Sequence, residues 1–170
     1  HHYRDDQQSL KIKHKNKIYQ TKLNLIGKIQ IKNVLMAMLA AEKNNISFHK
    51  IIKVISKIKN VSGRLEKIGS LKNNSKVILD YAHTPEALFC SLKNLKEQFK
   101  NKKISIVFGC GGNRDKAKRP QMGKIANRFC NKIYITDDNP RFENPKKIRS
   151  EIKKKIKKNK LYEFSNREKA

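Results

Sequence analysis

Acidic residues, tryptophan and long apolar segments are scarce in this 170-residue chain. It has no tryptophan and only 14 Asp and Glu against 41 Lys and Arg, a formal net charge of +27. No run reaches the roughly 18 apolar residues of a membrane span, and residues 1–6 are not followed by the apolar segment of a secretory signal. We therefore expect neither a membrane span nor a signal peptide. The start without Met and the helix-start pattern at 165–168 are typical of a piece of a longer protein.

Cysteine is also sparse. Cys90, Cys110 and Cys130 lie twenty residues apart, without the CxxC spacing of many zinc and redox sites. Disulfide frameworks belong mainly to small secreted chains with many paired cysteines. The sequence therefore argues against a disulfide framework and a zinc site, and indicates a reducing, cytoplasmic setting.

The positive charge consists mainly of lysine, with 33 Lys and 8 Arg. Lys, Asn and Ile together supply 70 of 170 positions, and all three are encoded by adenine- and thymine-rich codons. Genome composition could therefore produce this charge without a polyanionic partner. A basic nucleic-acid-binding module, suggested by the charge and by the lysine run at 153–158, is one alternative. Arginine and base-stacking aromatics are scarce, so nucleic acid is the less favoured partner.

Hydrophobic periodicity divides the chain into two parts. Residues 9–25 alternate as short antiparallel strands, and two amphipathic helices follow within 31–58. Beyond residue 61, strands alternate with helices, which predicts an α/β fold: a Rossmann-like, mostly parallel sheet with flanking helices. The predicted strands are 76–79, 104–108, 132–136 and 161–164, and the predicted helices are 84–99, 119–130 and 145–158.

Three loops that follow predicted strands contain most of the residues suited to chemistry, and parallel sheets bind ligands at such loops. In the first, the groups of Asp80, Tyr81 and His83 would suit a ribose hydroxyl, a purine face and a phosphate. Alternatively, Asp80 caps a turn and His83 lies on the surface. The second, residues 109–120, is glycine-rich and basic, and is either an anion site or a flexible turn. The third, residues 137–141, offers both donors and acceptors to a zwitterionic substrate.

Four motifs in one order make the pattern specific. They are Gly63-Arg64-Leu65-Glu66, the loop at 80–85, the stretch 108–120, and Asp138-Asn139-Pro140-Arg141. With these motifs the chain resembles the Mur ligase family over nearly its whole length. It is most similar to the members that add meso-diaminopimelate to UDP-N-acetylmuramoyl-L-alanyl-D-glutamate. The resemblance implies that residues 1–62 form the last strands and helices of a central ATPase domain. Residues 63–170 would form a C-terminal domain truncated before its last strands.

The resemblance also implies binding roles. ATP would contact Gln30, Arg64, Asp80, Tyr81 and His83, and Mg2+ would be held mostly outside this chain. Diaminopimelate would contact Arg114, Asp138, Asn139, Pro140 and Arg141. No catalytic residue or metal ligand is assigned within the chain, which would be inactive alone. The partners would be ATP, meso-diaminopimelate, the UDP-N-acetylmuramoyl dipeptide and the rest of the same chain, in the cytoplasm and without a membrane partner.

The resemblance implies a mechanism in which ATP phosphorylates the glutamyl carboxylate and the diaminopimelate amine attacks the acyl phosphate. These residues would position groups and complement charge. Three positions depart from the family pattern: Gln30 lies where Asn is common, Asn113 where Asp is usual and Ala117 where Gly is usual. A lysine-adding or folylpolyglutamate-type ligase of the same superfamily is the other alternative.

Overall fold

The computed structural model describes residues 2–4 and 7–170, which form two compact units. One unit extends to Tyr81 and includes Glu97–Lys100, and the other comprises Ala82–Lys96 and Asn101–Ala170. Within the described ranges, no helix is long and apolar enough to cross a membrane. The assignment of residues 1–62 and 63–170 to two different family domains stays a prediction.

The first unit begins with an antiparallel sheet. Strand β1 (His2–Arg4) pairs with β2 (Gln7–His14), and β2 pairs with β3 (Lys17–Leu23). Helices α1 (Lys28–Lys43) and α2 (Phe48–Ile55) follow. The predicted antiparallel strands and two amphipathic helices are confirmed. Their buried apolar residues form one core: Leu10, Leu23, Leu25, Ile31, Val34, Met38, Ile51 and Ile55.

A second strand pair belongs to the first unit. Strand β4 (Glu66–Ser70) runs antiparallel to β5 (Lys76–Leu79), with a register shift between Lys67 and Gly69. The bounds of β5 are confirmed, but the expectation that it joins the parallel sheet is wrong. A short turn, in which the Leu71 amide donates to the Ser75 carbonyl at 2.8 Å, lets β5 pair with its neighbour in sequence. Strand β4 was not predicted, because its EKIGS segment contains a single large apolar residue.

The second unit is built on a parallel sheet. Its strands β6 (Ser105–Phe108), β7 (Lys132–Ile135) and β8 (Leu161–Glu163) are hydrogen-bonded in that order. Helices α4 (Lys118–Phe129) and α5 (Pro145–Lys153) connect them. The predicted α/β fold with a mostly parallel sheet is confirmed. Helix α3 (Pro85–Gln98) precedes β6, and its Leu88 and Leu92 join the buried core of this unit.

The helix ends follow local sequence. The Thr84 hydroxyl accepts the Ala87 amide at 3.2 Å, with Pro85 as the first residue of α3, which confirms the predicted cap. Helix α5 ends five residues before its predicted end at 158, yet Ile152 and Ile156 both remain buried. The apolar stripe therefore continues beyond the helix and holds the following turn against the core.

Candidate functional site

Two loops leave the same edge of the parallel sheet, and we call them the glycine loop (residues 109–113, after β6) and the DNPR loop (residues 137–143, after β7). The glycine loop approaches its neighbour closely. A Cβ on Gly109 would lie 2.3 Å from the Thr136 carbonyl oxygen, and one on Gly112 would lie 1.8 Å from the Pro140 carbonyl oxygen. Only glycine permits such distances between two backbones.

Hydrogen bonds join the two loops. The Gly112 amide donates to the Asn139 carbonyl at 2.8 Å, and the Arg141 Nη1 donates to the Gly112 carbonyl at 2.7 Å. The Asn113 side-chain oxygen accepts the Phe142 amide at 3.0 Å. Asn113 and Arg141 both adopt left-handed backbone conformations, with φ of 49° and 50°. Asn tolerates this conformation better than most residues, so the departure at position 113 suits the turn.

The residues predicted to hold the amino-acid substrate lie at this junction. Asn139 orders its own loop, since its side-chain oxygen accepts the Arg141 amide at 3.1 Å. Arg114 directly follows the glycine loop and is exposed, as are Asp138 and Arg141. The structure thus brings the predicted DNPR residues against the loop that leads to Arg114, and leaves guanidinium groups at the surface.

A buried arginine lies beneath these loops, at a position that the sequence marked only as part of the basic stretch 109–120. Arg119, near the start of α4, is fully buried, and its two terminal nitrogens donate to the two carboxylate oxygens of Glu143, each at 2.9 Å. It also donates to Glu151 at 2.7 Å and to the Gly111 carbonyl at 3.3 Å. Glu143 in turn accepts the Asn113 amide at 2.5 Å. One charged group therefore contacts both loops and α5.

This pairing changes the acid chemistry of Glu143. Hydrogen bonds from Arg119, aided by the Asn113 amide, lower the pKa of the Glu143 carboxyl from 4.5 to about 2. The two carboxylates also raise the pKa of the Arg119 guanidinium. Both groups therefore remain charged throughout the neutral range.

A test of this pairing is the acid dependence of stability. Because the folded pKa of Glu143 is depressed, its stabilising contribution is present above about pH 4.5 and is lost as the pH falls towards 2. Glu143→Gln should lower stability at neutral pH and flatten the loss of stability across that window. Thermal unfolding of both proteins from pH 6 to 2 measures this, and parallel curves would contradict it.

The base of the DNPR loop is tied to the end of the sheet. Asp137 pairs with Arg149 of α5, and Arg149 also donates to Glu163 of β8 at 2.9 Å. Lys153 contacts the second oxygen of Glu163 at 2.5 Å. These contacts give Asp137 a structural role and leave Asp138 at the surface, where Arg167 lies 3.9 Å away.

In the first unit, four of the five residues predicted to contact ATP are connected. The Gln30 side-chain amide donates to the Arg64 carbonyl at 3.0 Å, and the Arg64 guanidinium carbon lies 5.2 Å from the centre of the Tyr81 ring. Asp80 accepts the Leu65 amide at 2.9 Å. Gln30 and Asp80 thus bind the carbonyl and the amide of the single peptide group that joins Arg64 to Leu65.

The exposed part of this cluster consists of Arg64 and Tyr81, the latter 67% exposed. A guanidinium over an aromatic ring offers a positive charge and a flat face. The Asp80 carboxylate accepts the amide of Leu65, which precedes it in the chain, whereas one sequence interpretation had Asp80 capping the turn that follows. His83 is exposed in the other unit, and its carbonyl accepts the Lys118 ammonium at 3.0 Å.

In the part of the chain that the structure describes, no group of three or more His, Cys, Asp or Glu residues could hold a metal ion.

Comparisons with known proteins agree with this architecture. Residues 63–170 match the sequence family described as "Mur ligase, glutamate ligase domain". The chain is 45% identical over 148 residues to the UDP-N-acetylmuramoyl-L-alanyl-D-glutamate--2,6-diaminopimelate ligase of Rickettsia felis, which covers 86% of the chain and 27% of the relative. The enzyme of that name from Buchnera aphidicola is 45% identical over 147 residues, covering 86% and 29%.

Solved structures of related ligases share the fold of this chain. A UDP-N-acetylmuramoyl-L-alanyl-D-glutamate--2,6-diaminopimelate ligase superposes with a TM-score of 0.66 at 31% identity, over 95% of this chain and 33% of that protein. A folylpolyglutamate synthase from Thermotoga maritima shares the fold, with a TM-score of 0.70 at 22% identity over 89% and 35%. The chain spans about a third of the length of the curated relatives that it matches. With the predicted motifs at the ends of β6 and β7 and the matching family domain, the chain belongs to the Mur ligase family.

Proposed function

We propose that this chain forms part of a cytoplasmic, ATP-dependent ligase that adds meso-diaminopimelate to UDP-N-acetylmuramoyl-L-alanyl-D-glutamate. Residues 1–62 would end a central ATPase domain and residues 63–170 would form the domain that presents the amino acid. The observation that carries this proposal is the junction of the glycine and DNPR loops, which sets Arg141 beside the segment leading to Arg114. The names of the relatives at 45% identity support the same substrate.

The chemistry of the junction fits an amino acid with a second carboxylate. Guanidinium groups bind carboxylates through charge-assisted, often bidentate, hydrogen bonds. Diaminopimelate carries a carboxylate at its far end, whereas lysine does not. Arg141 and Arg114 would bind that carboxylate, and Asp138 would offer an acceptor to an ammonium group. The DNPR residues would in this way hold one end of the substrate while its other amine reacts.

The Arg64 and Tyr81 cluster would contact the nucleotide. The ring face would suit the purine and the guanidinium a phosphate, with Gln30 and Asp80 holding the backbone beside them. ATP, when bound, supplies the phosphoryl group that activates the glutamyl carboxylate. The residues of this chain contribute orientation and charge complementarity to that reaction. His83 is also proposed to contact the nucleotide.

Removing the Arg141 guanidinium tests the substrate assignment. In a chimera in which the aligned part of this chain replaces its counterpart in the Rickettsia felis ligase, Arg141→Ala should lower kcat/KM for meso-diaminopimelate about 10- to 100-fold. That range corresponds to the roughly 1.5–3 kcal/mol of a hydrogen bond to a charged group. The measurement is ATP-dependent ligation with meso-diaminopimelate and with L-lysine, the latter being nearly unaffected.

The lysine arm also serves as a control for general damage to the loop, because Arg141 donates to the Gly112 carbonyl as well. A disturbed loop would lower ligation of both amino acids alike. Arg128→Ala removes the same charge from α4, where Arg128 lies over the rings of Phe89 and Phe129, and should leave the preference unchanged. Equal losses for the two amino acids in Arg141→Ala would count against diaminopimelate as the substrate.

A further inference from the structure

We propose that Arg119 is a positioning residue for the amino-acid site: through Glu143 it locks the glycine loop and the DNPR loop into one arrangement before the substrate arrives. This inference rests on the proposed function, since it takes those loops to be the substrate site. Arg119 itself is fully buried and would not touch the substrate.

The contacts form a continuous chain from the core to the surface. Arg119 donates to both oxygens of Glu143, and one of those oxygens accepts the Asn113 amide at 2.5 Å. Asn113 then accepts the Phe142 amide, directly beside Arg141. The position of the surface guanidinium is thus linked to the buried one by three hydrogen-bonded steps.

The two loops need stabilising contacts because part of their backbone conformation is unfavourable by itself. Arg141 holds a left-handed conformation, which residues other than glycine and asparagine rarely adopt unless the surroundings enforce it. Arg119 also donates to the Gly111 carbonyl and to Glu151 of α5, so the same side chain connects the loops to a helix of the folded core. A preset site avoids the cost of ordering two loops on binding.

Lysine at position 119 would not reproduce this geometry. Its ammonium is a point charge, whereas the planar guanidinium serves two oxygens of one carboxylate and a second carboxylate together. We therefore expect Arg119→Lys to recover only part of what Arg119→Met loses. Ile152→Ala, in the buried core of the same unit, provides a control that lowers stability without removing any of these hydrogen bonds.

The test has two arms. In the 170-residue chain, amide hydrogen exchange at Gly112 and Asn113 should be at least tenfold faster in Arg119→Met than in Ile152→Ala. In the chimeric ligase, KM for meso-diaminopimelate should rise about tenfold in Arg119→Met, with KM for ATP changed less than twofold. If Arg119→Met does not fold, Glu143→Gln is used in both experiments. We expect it to change the exchange rates and the KM for meso-diaminopimelate in the same direction by smaller amounts.

The outcomes separate the two proposals. Equal exchange at Gly112 and Asn113 in Arg119→Met and Ile152→Ala would overturn the positioning role, as would a parallel rise of both KM values. A wild-type chimera that does not use diaminopimelate would overturn the proposed function, while the exchange arm would still decide whether Arg119 orders the loops.

Discussion

Gly112→Ala is expected to lower kcat/KM for meso-diaminopimelate about 100-fold in the chimeric ligase. The added methyl group would lie 1.8 Å from the Pro140 carbonyl oxygen, so one of the two backbones must move by more than 1 Å. A displacement of that size at a substrate-positioning group costs about 10²-fold in rate. Overpacking should also destabilise the second unit by about 1–3 kcal/mol. Ligation kinetics and thermal unfolding measure the two effects.

Gly69→Ala is the matched control. Gly69 lies in β4, and a Cβ there would meet no atom within 4 Å. This substitution should therefore leave ligation nearly unchanged. If the two alanine variants behaved alike, the close approach of the glycine and DNPR loops would not be required for activity.

Arg119→Met is expected to lower the free energy of unfolding by about 3 kcal/mol, at the low end of the range for breaking a buried ion pair. The loss is large because Glu143 and Glu151, whose side chains are only 12% and 18% exposed, would keep their charges without the arginine that neutralises them. Denaturant unfolding at pH 7 measures this change. A loss below about 1 kcal/mol would place the pair among weak surface ion pairs.

The partners of Arg119 supply the control for this second prediction. If unpaired carboxylates cause the loss, replacing both by glutamine in the Arg119→Met background should recover part of it. If the lost packing of the arginine side chain causes it, the triple variant should be no more stable than Arg119→Met alone. The two results therefore distinguish charge from volume.

Local patterns in the sequence were sufficient for most of the fold. Apolar runs predicted β5 and β6 within one residue, and Thr84 with Pro85 predicted the start of α3. Strand β4 was missed because its pairing with β5, rather than its composition, makes it a strand. The partner of β5 could not be predicted either, since an isolated apolar run does not specify parallel or antiparallel pairing.

The candidate site was predictable only at its surface. The motifs predicted a role for Arg141 and the glycine loop because their residue types and order are unusual. They included Arg119 only as one basic residue of the stretch 108–120 and did not predict its partners Glu143 and Glu151, which lie 24 and 32 residues further along the chain. No periodicity relates such positions, and only the packing of α4 against α5 and the DNPR loop brings them together. In a chain with few acids, the two glutamates near the DNPR motif were the only sequence signal for this contact.

The most direct test of the proposed diaminopimelate site is a competition between meso-diaminopimelate and L-lysine at equal concentration in the chimeric ligase. We expect the product to contain diaminopimelate almost exclusively, and Arg141→Ala to reduce this preference at least tenfold. Equal incorporation of the two amino acids by the unsubstituted chimera, or a preference for lysine, would contradict the assignment of the glycine and DNPR loops as a diaminopimelate site.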